Sequence, residues 1–164
     1  MTDIADAAPG LTPAGGPGGR RAVPSSEQLA SWRAFLKAHA TITRALEAEL
    51  VAQQRLSLAS YDVLVQLAEA PGHRLRMTEL ADAVLLSRSG VTRLVDRLER
   101  AGLVRRSPVA GDGRGVAAEL TEGGLGRLRV ASRTHLAGVL VHFADRLDAD
   151  DLAALETISR RLAD

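Results

Sequence analysis

The hydrophobic period of the chain changes at Gly102. Before it, from Ser87 to about Ala101, Val91, Leu94, Val95 and Leu98 share one face, while Ser89, Thr92, Arg93, Asp96 and Arg100 share the other, as a 3.6-residue helix requires. After it, Leu103 to Val109 and Val116 to Leu120 read as two strands joined through Ala110-Gly111-Asp112-Gly113-Arg114-Gly115, a hairpin with arginine at its tip. Gly102 stands where a helix C-cap needs it. Upstream, Thr78 is placed to cap a short helix reaching about Val84, and Ser87 offers a second N-cap nine residues later. The order is therefore helix, tight turn, basic helix, Gly-rich basic hairpin.

The flanks are helical. Ser25 and Gln28 have the spacing of a capping box, and Trp32, Phe35/Leu36, Ile42, Leu46 and Leu50 continue a helical stripe to about Gln53. A second helix fits Ala59 to Glu69 and is ended by Pro71-Gly72, and Arg74 to Arg76 is extended. Thr121 caps a helix running past Leu125, Leu128, His135, Val139 and Phe143, and Asp148 with Asp150/Asp151 starts a last one with Leu152, Leu155, Ile158 and Leu162 inward. Residues 1–24 hold four Pro and a run of Gly with few large apolar groups, and are expected to form a disordered tail. The fold expected is mainly α with a small β-hairpin wing: a winged helix-turn-helix over 56–121 within a single domain of 25–164. The terminal helices, 25–53 and 122–164, are too apolar for a lone chain of this size and are expected to pack against a second copy.

A formal charge of +1 hides a local excess, because residues 72–116 hold nine Arg against five acidic residues. Such a cluster marks a phosphate partner or, more plainly, a solvated face with an Asp96–Arg100 ion pair. The hairpin decides for DNA. The polar face of the second helix suits a major groove through Arg88, Ser89, Thr92 and Arg93, its amide dipole favours phosphate near Ser87 and Ser89, and Arg114 suits a narrow minor groove. The chain has no cysteine, which excludes disulfides, a thiolate zinc site and a thiol nucleophile. No nucleotide-binding loop, nucleophile elbow or H-E-x-x-H is present, so no enzyme, cofactor or catalytic residue is read. With no long apolar run and no secretory pattern in its first residues, the protein is expected in the cytoplasm and off the membrane.

From Leu85-Leu86-Ser87-Arg88-Ser89-Gly90-Val91-Thr92-Arg93 through Gly102-Leu103-Val104 to Asp112-Gly113-Arg114-Gly115 and Leu120-Thr121, the chain resembles the MarR family of bacterial winged helix-turn-helix regulators. The resemblance spans roughly Trp32 to Leu162. It implies a homodimer with interleaved terminal helices on a pseudo-palindromic double-stranded DNA operator, usually repressing a neighbouring gene. It implies that Ser89, Thr92 and Arg93 face the major groove, that Arg114 enters the minor groove, and that Asp112 holds Arg114; Ser87, Arg88 and Arg97 complete the DNA-binding set. Gly113 stands where the family often has a second basic residue, which leaves fewer phosphate contacts. Family members that answer to small aromatic or phenolic effectors imply a crevice here lined by Trp32, Phe35, His39 and Tyr61, although aromatics on an apolar stripe also read as core. His135 and His142, seven residues apart on nearly one face and without a carboxylate at ligand spacing, read as a dimer-interface pair and not as a metal site. Protonated, such a pair would repel its symmetry mate. The alternative function is a protein-interaction dimer of the same fold that does not bind DNA; Arg93 and Arg114 argue against it.

Overall fold

The computed structural model describes residues 23–109 and 111–163. It divides into two compact units at Phe35/Leu36. Residues 1–22, on which the expectation of a disordered tail rests, lie outside the described residues. In the first unit, helix α1 (Ser26–Gln54) begins. Its start is the capping box expected from Ser25 and Gln28: the Gln28 amide donates to Ser25 Oγ at 3.2 Å, and the Ser25 amide donates to Gln28 Oε1 at 2.8 Å.

The second unit runs through the rest of α1, then α2 (Leu58–Glu69), a 3₁₀ turn at Pro71–His73, β1 (Arg74–Arg76), α3 (Met77–Ala83) and α4 (Arg88–Arg100). It continues with β2 (Val104–Val109), β3 (Asp112–Leu120), α5 (Glu122–His142), a 3₁₀ turn at Ala144–Arg146 and α6 (Ala149–Ala163). The three strands form one antiparallel sheet in the order β1-β3-β2, with Arg74 opposite Glu119 and Val104 opposite Leu120. The core lies among α2, α3, α4 and the sheet, where Leu64, Leu67, Leu80, Val91, Val95 and Ala118 are fully buried. Each interdigitating Leu there contributes about 2 kcal/mol by area removed from water.

Three local expectations are corrected. Helix α3 starts at Met77, and Thr78 is not its cap: Glu79 reaches back to accept the Arg76 amide at 2.9 Å, so the helix turns directly out of β1. Strand β3 begins at Asp112, four residues before the expected Val116, because Asp112 pairs with Val109 across a register shift at Pro108/Val109. The stripe of α6 is inward only in its first half: Leu152 and Leu155 are half-buried, whereas Ile158 and Leu162 are 51% and 72% exposed, since this chain's own core is completed without them. Thr121 does cap α5, accepting the Gly124 amide at 2.9 Å.

Candidate nucleic-acid interface

Helix α4 is built to be read from one side. Ser87, in an extended conformation, accepts the Gly90 amide through Oγ at 3.1 Å, which satisfies one of the orphan donors and leaves the other amides of the first turn pointing outward. Val91, Leu94, Val95 and Leu98 are buried, and that burial fixes the rotation of the helix. Ser87, Arg88, Ser89, Thr92, Arg93 and Arg97 are then all exposed, and those on the helix share the half away from the core. Ser89 Oγ lies 3.2 Å from Ser87 Oγ, and Thr92 donates its hydroxyl to the Arg88 carbonyl at 2.9 Å, which leaves the Thr92 methyl as the free end of that side chain. The turn ahead of α4 carries Leu85 at φ 53°, 90% exposed, an unfavourable conformation for a leucine that sets the angle between α3 and α4.

The Asp96–Arg100 ion pair is not formed; Arg100 Nε instead donates to the Asp96 carbonyl at 3.2 Å. Asp96 is taken by Arg106 of β2, at 2.6 Å, and the same guanidinium pairs with Glu99. Residue spacing within the helix missed Arg106. The signal available was two carboxylates three residues apart on a helix facing a strand that carries arginines. With both acids neutralised from the strand side, the outer half of α4 keeps Arg88, Arg93 and Arg97 as a basic surface. On the hairpin, Arg105 pairs with Glu119 at 2.5 Å. That bond raises the Arg105 guanidinium and holds the Glu119 carboxyl below its ordinary range. Asp112 and Arg114 occupy the first and third positions of β3, beyond the tip; their side chains lie outside what is described.

The expected effector residues are divided between the two units, Trp32 and Phe35 in the first and His39 and Tyr61 in the second. Trp32 and Phe35 stack on each other, ring centroids 6.0 Å apart, and both are about half exposed. Tyr61 is buried on the core side of α2, its hydroxyl 3.3 Å from Ser132 Oγ and its ring centroid 4.5 Å from that of His135. Only its neighbour Asp62 turns outward, into a cleft of about 600 Å³ lined also by His39, Arg44, Glu47, Val84 and Leu86. Desolvation raises the Asp62 carboxyl, with His135 opposing and Glu47 adding to the shift.

The two histidines of α5 are not a pair either. His142 Nε2 is 2.6 Å from Glu49 Oε1, whereas His135 faces Tyr61 and senses Asp62; each meets a carboxylate from another element. Among the described residues no cluster of three or more His, Asp or Glu side chains could hold a metal. Desolvation lowers the His135 pKa, Asp62 acting against it. A histidine with a lowered folded-state value binds fewer protons folded than unfolded, so stability falls as pH drops below about 6.5, the ordinary value of an unfolded histidine. The variant His135→Phe, which keeps a ring against Tyr61, is expected to flatten urea-unfolding stability over that window relative to the parent chain. An unchanged slope would show that His135 contributes nothing to it.

Known proteins share this arrangement. The MarR family profile matches residues 56–115, from within the α1–α2 connection into strand β3. The HTH-type transcriptional regulator PecS of Dickeya dadantii is 32% identical over 97 residues, 58% of this chain and 57% of PecS, so the chain spans little more than half the length of that relative. Among solved structures, AbsC, a MarR family transcriptional regulator from Streptomyces coelicolor, superposes with a TM-score of 0.79 at 35% identity, covering 87% of this chain and 95% of AbsC. Sco3205, a MarR family regulator from the same organism solved in complex with DNA, gives 0.81 at 35% identity, covering 86% of this chain and 92% of Sco3205.

Proposed function

The chain belongs to the MarR family of winged helix-turn-helix transcriptional regulators, and on that premise we propose that it is a dimeric, effector-responsive repressor of a pseudo-palindromic operator. The observation that carries the reading is the outer half of α4, where Arg88, Ser89, Thr92, Arg93 and Arg97 are exposed together behind a capped N-terminus. In a major groove, Arg93 and Ser89 would meet base edges and the open amides near Ser87 would meet phosphate. Arg114 would enter the adjacent minor groove, held by Asp112. The DNA complex of Sco3205 supports this docking. Acting on an operator, it would work in the cytoplasm; no helix among the described residues is long and apolar enough to cross a membrane.

Regulation would work through the cleft beside Asp62. Two of its walls, Val84 and Leu86, belong to the turn that leads into Ser87, so an occupant there bears directly on the orientation of α4. Arg44 and His39 suit the polar group of a small aromatic or phenolic effector, and the apolar walls suit its ring. Such a ligand lowers operator affinity only by its preference for the recognition-helix spacing that does not fit the DNA.

Fluorescence anisotropy against duplexes tiled over the gene's own upstream region, across salt concentrations, tests the reading. One tile is expected to bind tightly. Arg93→Ala should lose roughly tenfold or more on that tile and little on the others, because a base contact is worth about 1–3 kcal/mol of discrimination. Arg114→Ala should weaken every tile and reduce the salt slope by about one. Weak, equal binding to all tiles that ignores both substitutions would instead favour a protein-interaction dimer of the same fold.

A further inference from the structure

The two elements that would touch DNA are joined by one side chain. Arg106, on β2, reaches α4 at three levels: Nη2 donates to the Thr92 carbonyl at 3.3 Å and to Asp96 Oδ1 at 2.6 Å, and Nη1 donates to Glu99. The Arg106 amide also donates to Glu99 Oε1 at 3.0 Å, so Glu99 holds both the backbone and the side chain of that strand residue. The Arg106 side chain is 26% exposed, but Asp96 and Glu99 are 46% and 39% exposed, so the network matters through its multi-point geometry and not through the strength of any one ion pair. Thr92, Asp96 and Glu99 lie on successive turns of α4. A planar guanidinium spanning them resists both sliding of the hairpin along the helix and rotation of the helix about its axis, in a way that a point-charge ammonium cannot.

We propose that Arg106 is a positioning residue for DNA reading: it locks the hairpin to α4, so that the helix in the major groove and the wing in the minor groove meet the duplex as one rigid body. This rests on the operator reading. Two independently moving contacts would each have to be ordered on binding, whereas a pre-aligned pair would not. Misalignment costs sequence discrimination first, because base contacts need sub-ångström placement and phosphate contacts do not.

The test compares Arg106→Gln, Arg106→Lys and the triple variant Asp96→Asn/Glu99→Gln/Arg106→Gln, by anisotropy on the operator tile and on a scrambled duplex. Binding is referred to the active fraction from stoichiometric titration, so loss of folded protein does not imitate weaker binding. Arg106→Gln is expected to bind the operator about tenfold or more weakly, with the operator-to-scrambled ratio falling and the salt slope unchanged; Arg106→Lys should lie between. The triple variant should stay as weak as Arg106→Gln. A salt slope reduced by about one would make Arg106 a phosphate contact, and full recovery in the triple variant would make it a mask for two carboxylates; either overturns the proposal. Should Arg106→Gln fail to fold, Arg106→Lys and the double variant Asp96→Asn/Glu99→Gln carry the same prediction. Amide hydrogen exchange without DNA separates the two readings. Exchange in β2 and the last turn of α4 should rise together in Arg106→Gln, and unchanged exchange overturns the clamp. If exchange rises while the parent chain binds no tile, the operator reading is what fails.

Discussion

Replacing Gly124 by alanine is expected to cost about 3 kcal/mol of stability in urea unfolding, at the upper end for overpacking. An alanine Cβ there would sit 2.0 Å from the Leu103 carbonyl oxygen, 2.7 Å from Leu120 Cδ1 and 3.0 Å from the Leu103 carbonyl carbon. The Leu120 methyl can move, but the Leu103 peptide is braced on both sides. Its oxygen accepts the Thr121 amide at 3.1 Å and its amide donates to the Leu98 carbonyl at 2.9 Å. Relief therefore requires α5 to back away from the junction between α4 and β2, at the expense of the Thr121 cap. Gly126, two residues on in the same helix, has nothing within 4 Å of the added carbon and is exposed. There the same substitution should stabilise by about 0.5–1 kcal/mol, since glycine in a helix interior loses more backbone entropy than alanine. Equal effects at the two positions would mean that α5 does not pack on Leu103.

That contrast also shows what a sequence can disclose. The helical period puts Gly124 on the stripe of Leu128 and Ala131 and Gly126 off it, but the approach of a carbonyl from 21 residues upstream, which makes the one substitution costly, is not in the pattern. Helix α4 was legible because its apolar and polar residues divide cleanly between two faces, so the period alone oriented Ser89, Thr92 and Arg93. Helix α2 was not, because Tyr61 and Asp62 are adjacent yet point to opposite environments, the aromatic to the core and the carboxylate to the cleft. A search for a pocket by aromatic residues therefore finds the residue that faces the core, while its neighbour lines the cleft. The partners of Arg106, His142 and Glu119 come from other elements, His142 and Glu49 being 93 residues apart, and no local spacing announces them. Thr78 failed as a cap for a smaller reason: the cap position falls two residues earlier, on Arg76, whose amide the glutamate at the third helical position accepts.

Charging the outer face of α5 with Leu136→Glu and Leu140→Glu is expected to abolish dimerisation and, with it, tight operator binding. Leu136 and Leu140 are one turn apart and 59% and 54% exposed, next to Val141 at 56%; on α6, Ile158 and Leu162 are 51% and 72% exposed. Exposed apolar groups on the two C-terminal helices are what a second copy would cover, and burying a carboxylate among them without a partner costs several kcal/mol per group. Neither leucine belongs to the core of the single chain, so its own unfolding should stay cooperative, with a midpoint within a few degrees of the parent. Operator affinity should fall far more. A winged helix-turn-helix fills one half-site, and a symmetric operator offers the second roughly 34 Å away. Losing the tethered second contact removes an avidity of about 10²–10⁴ while leaving every DNA-facing residue in place. Sedimentation velocity should report a monomer, with anisotropy on the operator tile weakened at least about a hundredfold and the single half-site duplex bound as before. A variant that remains dimeric with unaltered affinity would place the subunit interface elsewhere and leave the exposed face of α5 unexplained by self-association.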